Sequence, residues 1–213
     1  MKNKILIIGA SGSFGSELVK LYDKKDLVMT YNTNYIKKGI KFNVVKDEIE
    51  KKIKSLHKIK EGFILFAEKN PNICFKKRKY TNLLNVEAVK NILNSFKKFS
   101  IKPIFLSTDL VFSGVKGSYA EKDKPNPKTL YGKQKYSVEK FIKKNFKNHL
   151  IFRLSKTYSF KKKESFSDWL NIFKKNKYVY CASDQIYNPI FLNDAAKIVY
   201  KIAKKKLNGV FNL

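Results

Sequence analysis

Two groups of residues in this 213-residue chain have types and spacings that can do chemistry. Gly9-Ala10-Ser11-Gly12-Ser13-Phe14-Gly15 sets glycines at positions 9, 12 and 15 directly after the short apolar run Lys4 to Ile8. In such a turn one glycine permits the tight bend and one lets the backbone approach a pyrophosphate. The third lets the following helix lie close to its strand, and that helix's unpaired N–H groups receive the anion. The second group is Tyr131-Gly132-Lys133-Gln134-Lys135, with a phenol and an ammonium four residues apart on one face of a helix. A nearby ammonium lowers a phenol's pKa, so the tyrosine can give a proton to a carbonyl oxygen as hydride arrives, or take one in reverse. Spacing alone does not single this pair out, because Tyr136, Tyr158 and Tyr200 also have lysine four residues on.

The elements that must position these groups follow from periodicity. Lys4 to Ile8 predicts a strand and Ser13 to Tyr22 a helix, with strands again at Leu27 to Tyr31 and Ile40 to Val44. Asp47 to His57, with Ile49, Ile53 and Leu56 on one face, predicts a lysine-rich helix, and Phe63 to Ala67 a fourth strand. After an irregular segment containing Pro71, Thr81 to Phe99 predicts one long helix and Pro103 to Ser107 a fifth strand. Gly114 to Lys128, with Pro125 and Pro127, predicts a loop. Helices at Leu130 to Phe146, Ser167 to Lys175 and Asn193 to Lys205 alternate with strands at Leu150 to Leu154 and Tyr178 to Cys181. This alternation predicts an α/β chain, a Rossmann-type doubly wound parallel sheet with helices on both faces. Ligands of such sheets bind at the carboxyl ends of the strands, where strand order reverses. No internal repeat or linker divides residues 1–213, so a single domain is expected.

Composition narrows the classes. An apolar fraction of 43% without an apolar run near membrane-spanning length argues against a membrane protein. Cys74 and Cys181 are far apart and form neither a disulfide framework nor a zinc site, so a cytoplasmic setting without metal is expected. The formal charge of +29 could attract polyanions. Only Arg78 and Arg153 among the 46 basic residues are arginine, however, and readers of nucleic acid favour the bidentate arginine fork. Direct nucleic-acid function is therefore disfavoured.

The second strand runs into Met29-Thr30-Tyr31-Asn32-Thr33-Asn34 with no acid to grip a ribose 2′-hydroxyl. A 2′-phosphate would be tolerated beside Tyr31 and Asn32, within reach of Lys37 or Lys38, unless those lysines are merely solvated. NADP is the expected cofactor, with NAD as the alternative.

Context then distinguishes Tyr131. Ser107-Thr108-Asp109, then Val111-Phe112-Ser113-Gly114, then Glu121 to Pro127 leading into Tyr131-Gly132 and Lys135 resembles the extended short-chain dehydrogenase/reductases, in particular the dTDP-4-dehydrorhamnose reductase type within the NAD-dependent epimerase/dehydratase superfamily. Asn85-Val86, Arg153-Leu154, Asp184-Gln185 with Asn188-Pro189, and Asp194-Ala195-Ala196 extend the likeness over nearly the whole chain. The resemblance implies Tyr131 as general acid/base, Lys135 lowering its pKa and binding the nicotinamide ribose, Thr108 holding the substrate carbonyl, and Asn85 holding a relay water. It implies cofactor contacts at Gly9, Ser11, Gly12, Ser13, Phe14, Gly15, Tyr31, Asn32, Phe66, Ala67, Tyr131 and Lys135. Substrate contacts are implied at Thr108, Asp109, Val111, Phe112 and Arg153.

Three departures stand out. Relatives carry an Asn-Ala-Ala-like stretch after the fourth strand, where this chain has Phe66-Ala67-Glu68. Tyr187 stands where they often have glycine. They also continue well beyond the segment resembling Gly209 to Leu213, so the substrate-binding portion is expected to be short. The implied function is reduction of a keto group on a nucleotide-activated sugar, for surface polysaccharide sugars, with homodimerisation open. Nucleotide-sugar epimerase or dehydratase activity is an alternative. Another is a non-catalytic dinucleotide-binding regulatory subunit.

Overall fold

A computed structural model describes residues 4–159, 165–180, 183, 186 and 188–213. Cys181, Asp184, Gln185 and Tyr187 lie outside the described residues. The N-terminal unit forms as its periodicity dictates. Strand β1 (Lys4–Ile8) leads through the glycine turn into α1 (Ser13–Val19), and β2 (Leu27–Tyr31) lies beside β1. Next come β3 (Ile40–Lys41), α2 (Ile49–Lys52), β4 (Ile59–Ile64), α3 (Pro71–Lys76) and α4 (Arg78–Asn82). A π-helical turn (Leu83–Glu87) joins α4 to α5 (Ala88–Lys98). The remainder is β5 (Lys102–Thr108), α6 (Leu130–Asn145), β6 (Leu150–Leu154), β7 (Thr157–Tyr158), α7 (Ser165–Asn176), β8 (Ile190–Phe191), α8 (Leu192–Lys204) and β9 (Gly209–Asn212).

Seven strands make one parallel sheet in the order β3-β2-β1-β4-β5-β6-β9, and β7 pairs with β8 apart from it. The order runs outward in both directions from β1 and β4, so the switch point lies at their carboxyl ends, next to the glycine turn. Each face is sealed by its own apolar cluster. Phe14 and Leu18 of α1 pack with Leu192, Ala195, Val199 and Ala203 of α8 on one side. On the other, Val89, Ile92 and Phe96 of α5 pack with Val138 and Ile142 of α6 and with Ile49, Ile53 and Leu56. The doubly wound Rossmann-type architecture is thus present, and no helix among the described residues is long and apolar enough to cross a membrane.

Several elements depart from the periodicity. The expected third strand stops at Lys41, because the Asn43 side chain accepts from the N–H groups of Val45 and Lys46 and turns the chain. The expected helix over Asp47 to His57 shrinks to α2, because Ile53 and Leu56 are both pinned in the core on the short path to β4. The long helix at Thr81 to Phe99 carries a π turn in its first half. Tyr178 to Tyr180 is not strand; the two tyrosines are exposed and meet edge to face. The irregular segment at Pro71 is a helix announced by its own sequence. Asn70 accepts from the N–H groups of Asn72 and Ile73, and Pro71 sits in the first turn.

Candidate active site

The glycine turn is built for close approach. Gly9 adopts φ +89°, disfavoured for a side chain, and its N–H points at Thr30 Oγ1 (3.4 Å) while Ala10 N donates to Thr30 O (3.0 Å). A Cβ on Gly15 would drive into the Gly9 carbonyl oxygen and stand 2.8 Å from Ala10 Cα, so only glycine lets α1 sit this near the strand. No side chain caps α1 at Gly12, and its first turn holds no acid to repel an anion. Beside this turn lies a cavity of about 180 Å³ whose walls include Gly9, Tyr31, Asn32, Phe66 and Ala67, all expected cofactor contacts, with Tyr80 and Leu84, which no motif indicated.

Glu68, the departure after β4, does not swing free. Asn85 Oδ1 accepts from Glu68 N and Asn85 Nδ2 donates to Glu68 O, both at 2.9 Å. The same Nδ2 donates to Gln134 Oε1 (2.9 Å), whose amide nitrogen donates to Thr81 Oγ1 (3.2 Å). Asn85, expected to hold a relay water, is instead buried with its amide engaged by protein. Gln134 is a connector that reasoning from sequence missed, although it lies between Tyr131 and Lys135.

α6 begins where Thr129 accepts from Gly132 N, and this places Tyr131 and Lys135 on its buried face. The Tyr131 hydroxyl has no hydrogen-bond partner among the described residues, and burial pushes its pKa well up, with the Cys74, Asp109 and Glu68 side chains adding to the rise. Lys135 is pushed by burial down to about 7, against the opposing pull of Glu139 and Cys74. Its Nζ donates to Leu106 O (2.7 Å) and lies 4.4 Å from the Phe105 ring centroid but 5.9 Å from that of Tyr131. The expectation that Lys135 lowers the Tyr131 pKa is therefore not met in this arrangement: burial outweighs an amine turned toward a backbone carbonyl.

Thr108 closes β5. Its hydroxyl donates to Asp109 Oδ1 (3.0 Å) and accepts from Leu110 N (3.3 Å), so a ligand carbonyl would have to displace Asp109. The other expected substrate residues divide. Asp109 is exposed, whereas Val111 is fully buried and Phe112 nearly so, its ring stacked on Tyr119 at 4.4 Å. Arg153 is held by a partner that no motif indicated. Only 1% exposed, it donates from its guanidinium to both Glu139 oxygens (3.1 and 2.8 Å) and lies 4.9 Å from the Phe112 ring centroid. Ser107 also donates to Glu139 (2.5 Å). The loop is held from β9 as well, by Asn212, whose N donates to Glu121 Oε1 and whose Nδ2 donates to Tyr119 O.

A parallel sheet with a glycine turn at its switch point, and a tyrosine and a lysine on the next helix but several, defines a protein of the Rossmann class. Residues 2–213 match the family model described as RmlD substrate binding domain, and the chain belongs to that family. It is 26% identical over 211 residues to methionine adenosyltransferase 2 subunit beta of Xenopus tropicalis, a match covering 96% of this chain and 63% of that protein. It is 25% identical over 219 residues to dTDP-4-dehydrorhamnose reductase of Aggregatibacter actinomycetemcomitans, covering 97% of this chain and 69% of that one. Among solved structures, a hypothetical dTDP-4-dehydrorhamnose reductase from Sulfolobus tokodaii superposes with TM-score 0.84 at 26% identity, covering 98% of this chain and 75% of that chain. The Bacillus anthracis dTDP-4-dehydrorhamnose reductase in complex with NADP superposes with TM-score 0.86 at 21% identity, covering 100% and 74%, and speaks to the fold.

Proposed function

We propose that this chain binds NADP, with NAD as the weaker alternative, and reduces a keto group on a nucleotide-activated sugar. The observation that carries the reading is Tyr131, buried on one face of α6 with Lys135, its hydroxyl without a hydrogen-bond partner among the described residues, at the same carboxyl end of the sheet as the glycine turn. The residues present fit a dinucleotide. The uncapped α1 amides suit a pyrophosphate, the cavity by Tyr31 and Asn32 suits the adenosine end, and no acid closes β2 against a 2′-phosphate. When bound, the nicotinamide supplies the hydride.

The chain's own residues supply the rest. Thr108 exchanges its bond to Asp109 for one to the sugar carbonyl and orients it. Lys135, which donates to Leu106 O, would hold the nicotinamide ribose, and in its charged form its ammonium would favour loss of the phenol proton. Tyr131 gives its proton to the carbonyl oxygen as the carbon is reduced. Asn85 fixes the Glu68 backbone under the site. This work belongs to one domain, in a cytoplasmic setting, for polysaccharide sugar synthesis.

A second reading is a non-catalytic dinucleotide-binding regulatory subunit, favoured by the likeness to methionine adenosyltransferase 2 subunit beta and by the engaged Asn85 amide. The chain is mixed with NADPH and nucleotide-linked 4-keto sugars, and nicotinamide absorbance is followed beside Tyr131→Phe. Oxidation that collapses in the variant is expected. NADPH binding without reduction of any sugar would overturn the reductase reading in favour of the regulatory one.

A further inference from the structure

Tyr80 belongs to no motif, yet it lines the 180 Å³ cavity together with Leu84, four residues on. The π turn at Leu83–Glu87 is the local cause. One extra residue in a helical turn shifts the phase by roughly 100°, and here Asn85 enters the polar interior while Leu84 stays on the cavity wall. Tyr80 is 52% exposed, so its ring is only half covered by the protein. Directly before it run Lys76, Lys77, Arg78 and Lys79, all exposed, and none forms an ion pair among the described residues. A half-wet aromatic on a nucleoside-sized cavity with unpaired cations beside it suits a flat base carrying phosphate.

We infer that Tyr80, backed by Leu84, is the surface against which the adenine of a bound dinucleotide packs, and that the cations of Lys76 to Lys79 favour a phosphate on its ribose. This rests on the cofactor reading above and adds to it a wall from α4 that the glycine turn and the end of β2 do not supply.

The test is calorimetric titration of the intact chain, and of Tyr80→Ala, Tyr80→Phe and Lys77→Ala/Arg78→Ala, with NADPH, NADH, adenosine 2′,5′-bisphosphate and 5′-AMP, the last two lacking the nicotinamide. Tyr80→Ala is expected to weaken both ligands roughly tenfold or more, and Tyr80→Phe to retain affinity, as loss of a base–aromatic stack predicts. The double lysine-arginine variant is expected to weaken the bisphosphate more than it weakens 5′-AMP. Because Tyr80 is half exposed, thermal melting of Tyr80→Ala should match the parent and exclude unfolding. Parent-like affinity in Tyr80→Ala overturns the inference and leaves the cofactor reading standing. A parent that binds neither NADPH nor NADH overturns both.

Discussion

Asn85 grips the backbone of one residue at both ends, accepting from Glu68 N and donating to Glu68 O. The contact joins the π turn to the segment after β4, and so fixes the backbone that carries Phe66 and Ala67 along the cavity. Asn85→Ala would strand the Glu68 amide in a half-buried place. The expected loss is about 1–3 kcal/mol of stability, read as a lower urea midpoint at an unchanged slope, together with weaker dinucleotide affinity.

Gly15→Ala tests the close approach of α1 to β1. Its new Cβ would press on the Gly9 carbonyl and the Ala10 backbone, neither of which can rotate aside. Destabilisation of about 1–3 kcal/mol is expected, and NADPH affinity should fall further than stability because the glycine turn itself must move. Affinity preserved in a folded variant would contradict this account of the turn.

Arg153 and Glu139 form a buried ion pair with side-chain exposures of 1% and 0%. Arg153→Met leaves a carboxylate unpaired and is expected to cost about 3–5 kcal/mol, whereas the double variant with Glu139→Gln should regain a large part of that. A double-mutant cycle in urea reads the coupling. Additive losses would mean that the pair is not a unit.

Lys135 gives a pH signature. Its folded pKa is lowered to about 7 from 10.5, so the fold prefers the neutral amine. The penalty is full below pH 7, is relieved as pH rises from 7 to 10.5, and is gone above that. The parent should therefore gain stability over this window relative to Lys135→Met, which has no amine to titrate. Parallel stability curves for the two proteins would remove Lys135 as the source.

Much of this was legible in the chain. The glycine turn, the alternation of strands and helices, and Tyr131 with Lys135 follow from local spacing, because periodicity survives whatever packs above it. What escaped depends on partners distant in sequence. Asn85 looked like a water holder until Glu68 and Gln134 took its amide, and Arg153 looked ligand-facing until Glu139, on the neighbouring helix, enclosed it. Asn43 ended β3 early with its own side chain, a turn signal present in the sequence and outweighed by the apolar run around it. Tyr80 had no spacing to mark it, since its role depends on a cavity assembled from five separate segments.

Every rung of the main sheet joins parallel strands, so none of its pairs can close through a tight hairpin. β1 takes its second neighbour, β4, only after β2, β3 and α2 have intervened, and β6 waits for β9 at Gly209. Long closures must therefore precede the contacts that repay them, which makes assembly slow. A nascent chain that has emerged only as far as Lys58 carries β1 with one flank of its ladder open, an edge on which a neighbouring nascent chain can add a strand.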